Sequence, residues 1–153
     1  VMIAGYVTGG VLRGMVTGIL LLGVAFLFTP FHIAHPLHFS LFAVCSAALF
    51  SLAGLINGIY AKDFDMISIF PTFVLTPLTY LAGTFYSISL LPEFWQTVSR
   101  YNPVLYMVNG FRYGLLGISD VSLMAAYSVL IGLIILLTYW VWHLFATGRG
   151  VKL

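Results

Sequence analysis

Charge is what this sequence has least of. Of its 153 residues six are Lys or Arg and four are Asp or Glu, so charged side chains make up 7% of the chain against 61% hydrophobic ones. That leaves too little polar surface to coat a water-soluble globule, and the chain is read as living in a bilayer. A net charge of +2 is too small to hold a polyanion, and no stretch outside the apolar runs is longer than about 28 residues, which excludes nucleic acid as a partner. Cysteine is nearly absent as well: Cys45 is alone, so no disulfide can form within the chain. The sequence has no His-Glu-x-x-His pair and no paired membrane aspartates, which counts against an intramembrane enzyme.

The few charges divide the apolar majority. A crossing of the hydrocarbon core needs about 20 apolar residues at roughly 1.5 Å rise each. Charge-free runs lie between Arg13 and His32, His38 and Lys62, Asp65 and Glu93, and Asp120 and Arg149. They predict an all-α membrane protein, a polytopic helical bundle with four transmembrane helices at about 8–31, 38–61, 65–90 and 121–147. The first run is short, so its helix is expected to begin earlier and to place Arg13 near the interface, where its stem can snorkel. With four crossings both ends share a side, and that side collects Arg13, Lys62, Arg149 and Lys152 against Arg100 and Arg112 opposite. Both ends are therefore read as cytoplasmic, with Tyr139, Trp140, Trp142 and Phe145 as an aromatic anchor at the inner face.

Small residues and histidines have modest readings. Gly10, Gly14 and Gly18 share one helix face, and Gly54 and Gly58 continue a small face with Ala47 and Ser51, which suits close helix contact. His32, His35 and His38 do not close one helical face, Pro36 interrupts them and no carboxylate or cysteine stands nearby, so no metal site is expected. His143 reads as an interfacial side chain. The chain starts at Val1 and enters a helix almost at once without a signal-peptide pattern, and it is read as the C-terminal fragment of a longer membrane protein.

The third run is unlike the others. Ser68, Thr72, Thr76, Thr79, Gly83 and Tyr86 follow spacings that place all of them on one helical stripe, while Ile67, Ile69, Phe70, Phe73, Val74, Leu75, Leu78 and Leu81 fill the other faces. In hydrocarbon such hydroxyls gain from a partner, so the stripe should face protein or water. Two readings fit: a translocation wall, or threonines that bond back to their own helix and line a helix contact. Pro71 and Pro77 each remove an amide donor and collide with the carbonyl four residues earlier, at Ile67 and Phe73, which predicts a kinked helix suited to a gate.

Beyond it the chain reads as two short helices, at about 92–101 and 103–116. Pro92 suits a helix start and Glu93 complements its positive end. Asn102 can cap a second helix that opens at Pro103 and stops near Gly117. Neither is long enough to span. Their aromatic residues Phe94, Trp95, Tyr101, Tyr106, Phe111 and Tyr113 place them at the outer interface or re-entering the bilayer against protein. Arg112 within a re-entrant helix would need a partner, for which Asp120 or the end of the Pro92 helix could serve, and the other reading is a surface arginine at the lipid headgroups.

The run from Leu75 to Trp95 (LTPLTYLAGTFYSISLLPEFW), then Tyr101-Asn102-Pro103 and Gly110-Phe111-Arg112-Tyr113-Gly114, resembles the signature of ABC-2 type permeases, membrane subunits of a class of ABC exporters. The likeness extends to Gly5-Tyr6, Gly9-Gly10 and Arg149-Gly150. It implies a six-span permease of the bacterial inner membrane, of which this chain would hold spans three to six. It also implies a dimer of permeases with the pathway at their interface, and two separate cassette ATPase subunits. ATP and Mg would be bound by those partners and no cofactor by this chain, which has no Gly-x4-Gly-Lys-Ser/Thr phosphate loop. Pro92, Asn102, Pro103, Gly110 and Arg112 match the signature and would shape the outer hairpin, with Gly83 as the small residue before the outer turn. The resemblance makes Lys62, Asp63 and Asp65, together with Arg13, a possible ATPase contact, and an ordinary solvated loop fits Lys62 to Asp65 equally. The alternative to an ATP-driven exporter is a gradient-driven secondary transporter or channel subunit, and the lack of acidic and basic residues inside the four runs counts against it.

Overall fold

A computed structural model describes residues 2–29 and 32–148, and every regular element among them is helical. Arg149, Gly150 and Lys152, and Phe31 at the end of the first expected span, lie outside the described residues. Among the described residues three helices are long and apolar enough to cross a membrane: α1 (Met2–Phe28), α2 (Pro36–Tyr60) and α7 (Leu123–Ala146). The helix α1 is already formed at Met2, ahead of the expected start near residue 8, and stops just before Thr29. Arg13 consequently sits well inside this helix, about 17 Å along its axis from Met2.

The third expected span, a kinked helix over 65–90, is corrected in its extent by the structure. The segment is α3 (Phe64–Ile69), a π-helical stretch (Phe70–Leu75) and α4 (Thr76–Tyr80), after which the chain leaves the helix and makes a short 3-10 turn at Ile88–Leu90. The prolines supply the reason. Pro71 and Pro77 have no N–H, and the Pro77 ring would strike the Phe73 carbonyl in a regular α-helix. Widening to π geometry relieves this, and the Thr76 N–H bonds to the Pro71 carbonyl five residues back. Gly83 then takes φ +73, where a β-carbon would also lie 3.1 Å from the Tyr86 carbonyl, and turns the chain out of the helical path.

Two short helices follow, α5 (Glu93–Arg100) and α6 (Pro103–Leu116), and they have different surroundings. In α5 only Ser99 is buried, whereas α6 buries Val104, Leu105, Met107, Asn109, Gly110 and Gly114. The helix α6 packs against both α2 and α7, and α2 in turn packs against α1. The core therefore lies where α2, α6 and α7 meet, built from Phe42, Leu49, Met107, Ala126 and Leu130. Close approach of α6 to α2 requires glycine: a β-carbon on Gly114 would come within 2.7 Å of the Phe39 β-carbon, and one on Gly110 would run into the Phe42 ring. That ring is fully buried and stacks on Tyr127 at 4.5 Å.

Candidate functional site

The three-piece helix from Phe64 to Tyr80 stands at the margin of the bundle. Within it Ser68, Thr72, Thr76 and Thr79 are exposed, while Gly83 is buried and Tyr86 half-buried beyond its end. The stripe is thus uncovered along the helix and turns inward at the outer hairpin. Several of its hydroxyls are satisfied by nearby backbone. Thr79 Oγ1 donates to the Leu75 carbonyl (2.7 Å), Thr76 Oγ1 to the Pro71 carbonyl (3.1 Å) and the Tyr86 hydroxyl to the Tyr80 carbonyl (2.9 Å). Back-bonding of this kind leaves the lone pairs of each hydroxyl available on the exposed side.

The freed carbonyls draw donors from other elements. Asn57 of α2 donates its side-chain amide to the Ile67 carbonyl at 3.0 Å, the acceptor for which Pro71 has no N–H to offer. At the other end Asn102 Nδ2 donates to the Leu78 carbonyl at 2.6 Å, while its Oδ1 accepts from the Val104 N–H and caps α6. Asn102 is buried, so one side chain both starts α6 and holds α4.

Arg112 closes the outer hairpin. Its guanidinium donates to Asp120 Oδ2 at 2.9 Å and to the Gly83 carbonyl at 2.6 Å, and the same carboxylate oxygen accepts from the Ile88 N–H at 3.3 Å. Of the two partners the sequence offered, Asp120 is the one that pairs. The side chains are 17% and 27% exposed, so the pair is screened less than a surface ion pair. One ion pair therefore joins α6, the turn after α4 and the loop before α7. Asn109, buried in α6, fixes that loop further by accepting from the Asp120 N–H at 2.8 Å.

The remaining expected residues distribute as follows. Pro92 is the cap residue of α5, just before its first turn at Glu93, and Pro103 is the first residue of α6. Lys62, Asp63 and Asp65 are exposed at the turn between α2 and α3. Arg13 does not join them: it borders a groove with Gly10, Gly14, Ala47, Phe50 and Ser51, and Ser51 lies roughly 13 Å along α2 from the end of that helix at Tyr60. His35 stacks on Tyr113 at 4.6 Å and His38 Nδ1 pairs with the Tyr127 hydroxyl at 2.7 Å. The backbone amides of Ala34 and His35 bond to the Leu115 and Gly114 carbonyls, so the loop between α1 and α2 covers the end of α6.

Asn57, Asn109 and Tyr127 were not singled out by sequence reasoning. For Asn57 a signal existed: it is an amide inside an apolar run, ten residues before a carbonyl that a proline leaves without its usual donor. Asn109 and Tyr127 gave none, since their partners are set by how α6 enters the bundle.

Comparison with known proteins bears on what this arrangement serves. Residues 1–116 match the family model described as ABC-2 type transporter. The chain is 53% identical over 152 residues to the inner membrane transport permease YadH of Escherichia coli strain K12. Permeases of the same name from Escherichia coli O157:H7 and Shigella flexneri match to the same extent. These alignments take in 99% of the chain but 59% of each relative, so the chain spans about three fifths of the length of the curated relatives it matches. No solved structure matches it.

Proposed function

The chain belongs to the ABC-2 type transporter family, and from that premise we propose that it is part of a transmembrane permease subunit of an ATP-driven exporter in the bacterial inner membrane. In this reading two copies of the permease form the pathway between them, and separate cassette ATPase subunits bind ATP and Mg and supply the energy. The helix from Phe64 to Tyr80 makes the third of four crossings of this chain, and its stripe of Ser68, Thr72, Thr76 and Thr79 lines the pathway. Both described ends of the chain lie on the cytoplasmic side, and Lys62, Asp63 and Asp65 face the ATPase.

The observation that carries the reading is the exposure of that stripe on a helix broken by two prolines. A lipid-facing helix with weakened backbone bonding and a row of hydroxyls is costly in hydrocarbon, whereas the same helix is tolerated where it borders protein or a water-filled path. The helices α2, α6 and α7 pack around a common core with α1 against α2, whereas the broken helix is exposed on its apolar faces as well as along its stripe, which leaves it available to a second copy.

The test is cysteine crosslinking in the full-length permease in native membranes, on a Cys45→Ser background. A single cysteine at Thr72 or Thr79 should give covalent dimers with a short bifunctional reagent, and one at Ile131 on α7 should not. Dimers from the α7 position alone would place the contact, and the pathway, elsewhere.

A further inference from the structure

We propose that Asn57 is a positioning residue of the gate, holding the inner part of the broken helix on α2 through the Ile67 carbonyl that Pro71 has left without its helical donor. The inference rests on the transport reading only for the word gate; the tether itself stands on the geometry.

Three observations meet here. A proline at position 71 cannot donate to residue 67, and an unpaired carbonyl in hydrocarbon costs several kcal/mol. The side-chain amide of Asn57 lies 3.0 Å from that carbonyl and comes from a different helix, so it restores the bond and converts a local defect into a link between elements. Beside this link a gap of about 290 Å³ opens between the two helices and α7, lined by Ala53, Ile56, Tyr60, Phe70, Leu137 and Trp140. The outer part of the broken helix is held in the same way, by Asn102 on the Leu78 carbonyl. Between the two amides lies the π-helical stretch, with Pro71 near its start and Pro77 just past its end. A helix fixed at both ends and widened between them bends in the middle, beside a gap into which Phe70 can move. Asn57 therefore sets where the inner half of the stripe sits, and Asn102 where the outer half sits.

The proposal makes a specific demand on two residues at once. If Asn57 matters because Pro71 cannot donate, giving residue 71 an N–H should make Asn57 dispensable. The experiment is hydrogen–deuterium exchange on the full-length permease in lipid nanodiscs, read on peptides covering 64–75 and 78–90. Asn57→Leu should speed exchange in 64–75 roughly five- to tenfold, the loss of about one hydrogen bond, and leave 78–90 within about twofold. Asn57→Ala removes the donor with less added volume and should do the same if the leucine variant fails to fold. In a Pro71→Ala background the Asn57 substitution should change exchange in 64–75 by less than about twofold. Unchanged exchange in Asn57→Leu, or an equal rise with and without Pro71, overturns the tether. Coupling to the gate is read from substrate-free ATPase turnover of the purified complex: Asn57→Leu should alter it, and Pro71→Ala added to Asn57→Leu should return it to the level of Pro71→Ala alone. Altered exchange with unaltered turnover overturns the positioning role. Failure of any ATPase to copurify would instead remove the transport reading and leave the exchange result standing.

Discussion

Arg112 shows how much one side chain can hold in this protein. It answers the Gly83 carbonyl and the Asp120 carboxylate together, and Asp120 in turn receives the Ile88 N–H. Removing the guanidinium leaves a carboxylate and a carbonyl without their donor in a place only partly open to solvent, and the cost is that of unmaking the pair, about 1–3 kcal/mol. Arg112→Ala should therefore lower the thermal unfolding midpoint of the detergent-solubilised permease by several degrees. Arg100→Ala, on an exposed residue at the end of α5, should change stability by less than about 0.5 kcal/mol. Arg112→Lys should recover part of the loss, because one ammonium replaces a planar fork that reaches two acceptors. Equal effects at positions 100 and 112 would remove the outer lock from the account.

Residue by residue, the sequence was most legible where a backbone rule acts locally. Asn102, Pro103 and Gly117 bound α6 in the sequence and in the structure alike, because capping, a fixed proline φ and a left-handed glycine need no tertiary information. The need for a partner at Arg112 was also legible, since a charge among apolar residues must be answered. The identity of the acceptors beyond Asp120 was not: the Gly83 carbonyl becomes available only because the chain turns there. Asn57 stayed hidden for the same reason, as its partner lies on another helix and is defined by what Pro71 lacks.

At the scale of elements, the departures from expectation share one cause. Hydropathy counts apolar residues, so the run after Asp65 read as one kinked span to about residue 90, although the prolines widen it to π geometry and the helix ends at Tyr80, before Gly83 turns the chain. It likewise placed the start of α1 near residue 8, with Arg13 close to the interface, whereas the helix is already formed at Met2 and Arg13 lies well inside it. The two short helices looked alike in the sequence, both aromatic and amphipathic, yet α6 enters the core and α5 stays at its margin. What separates them is Gly110 and Gly114, which allow α6 to touch Phe42 and Phe39. The broken helix gives the prediction at this scale. Thr72→Leu, Thr76→Leu and Thr79→Leu combined delete the hydroxyls of the stripe and put larger apolar side chains in their place. In the complete protein the triple variant should assemble with its partners in normal yield while ATP-dependent export falls. Normal export would reassign the stripe to helix packing.

At the scale of the whole molecule, a bundle of α1, α2, α6 and α7 supports a less regular arm. Polar contacts join the two at places where the arm's backbone has spare acceptors: Ile67, Leu78 and Gly83. Under the proposed function, this broken arm on a packed bundle is where a partner's conformational change would reach the pathway. The central claim is that this chain serves an ATP-driven exporter as one of two permease copies. It is tested most directly by isolating the complete protein from its native membrane in mild detergent and identifying its companions by mass spectrometry and native mass. The account predicts a cassette ATPase in a complex of two permease and two ATPase subunits. A homo-oligomer that carries no ATPase, reproduced after crosslinking in the membrane before extraction, would contradict it.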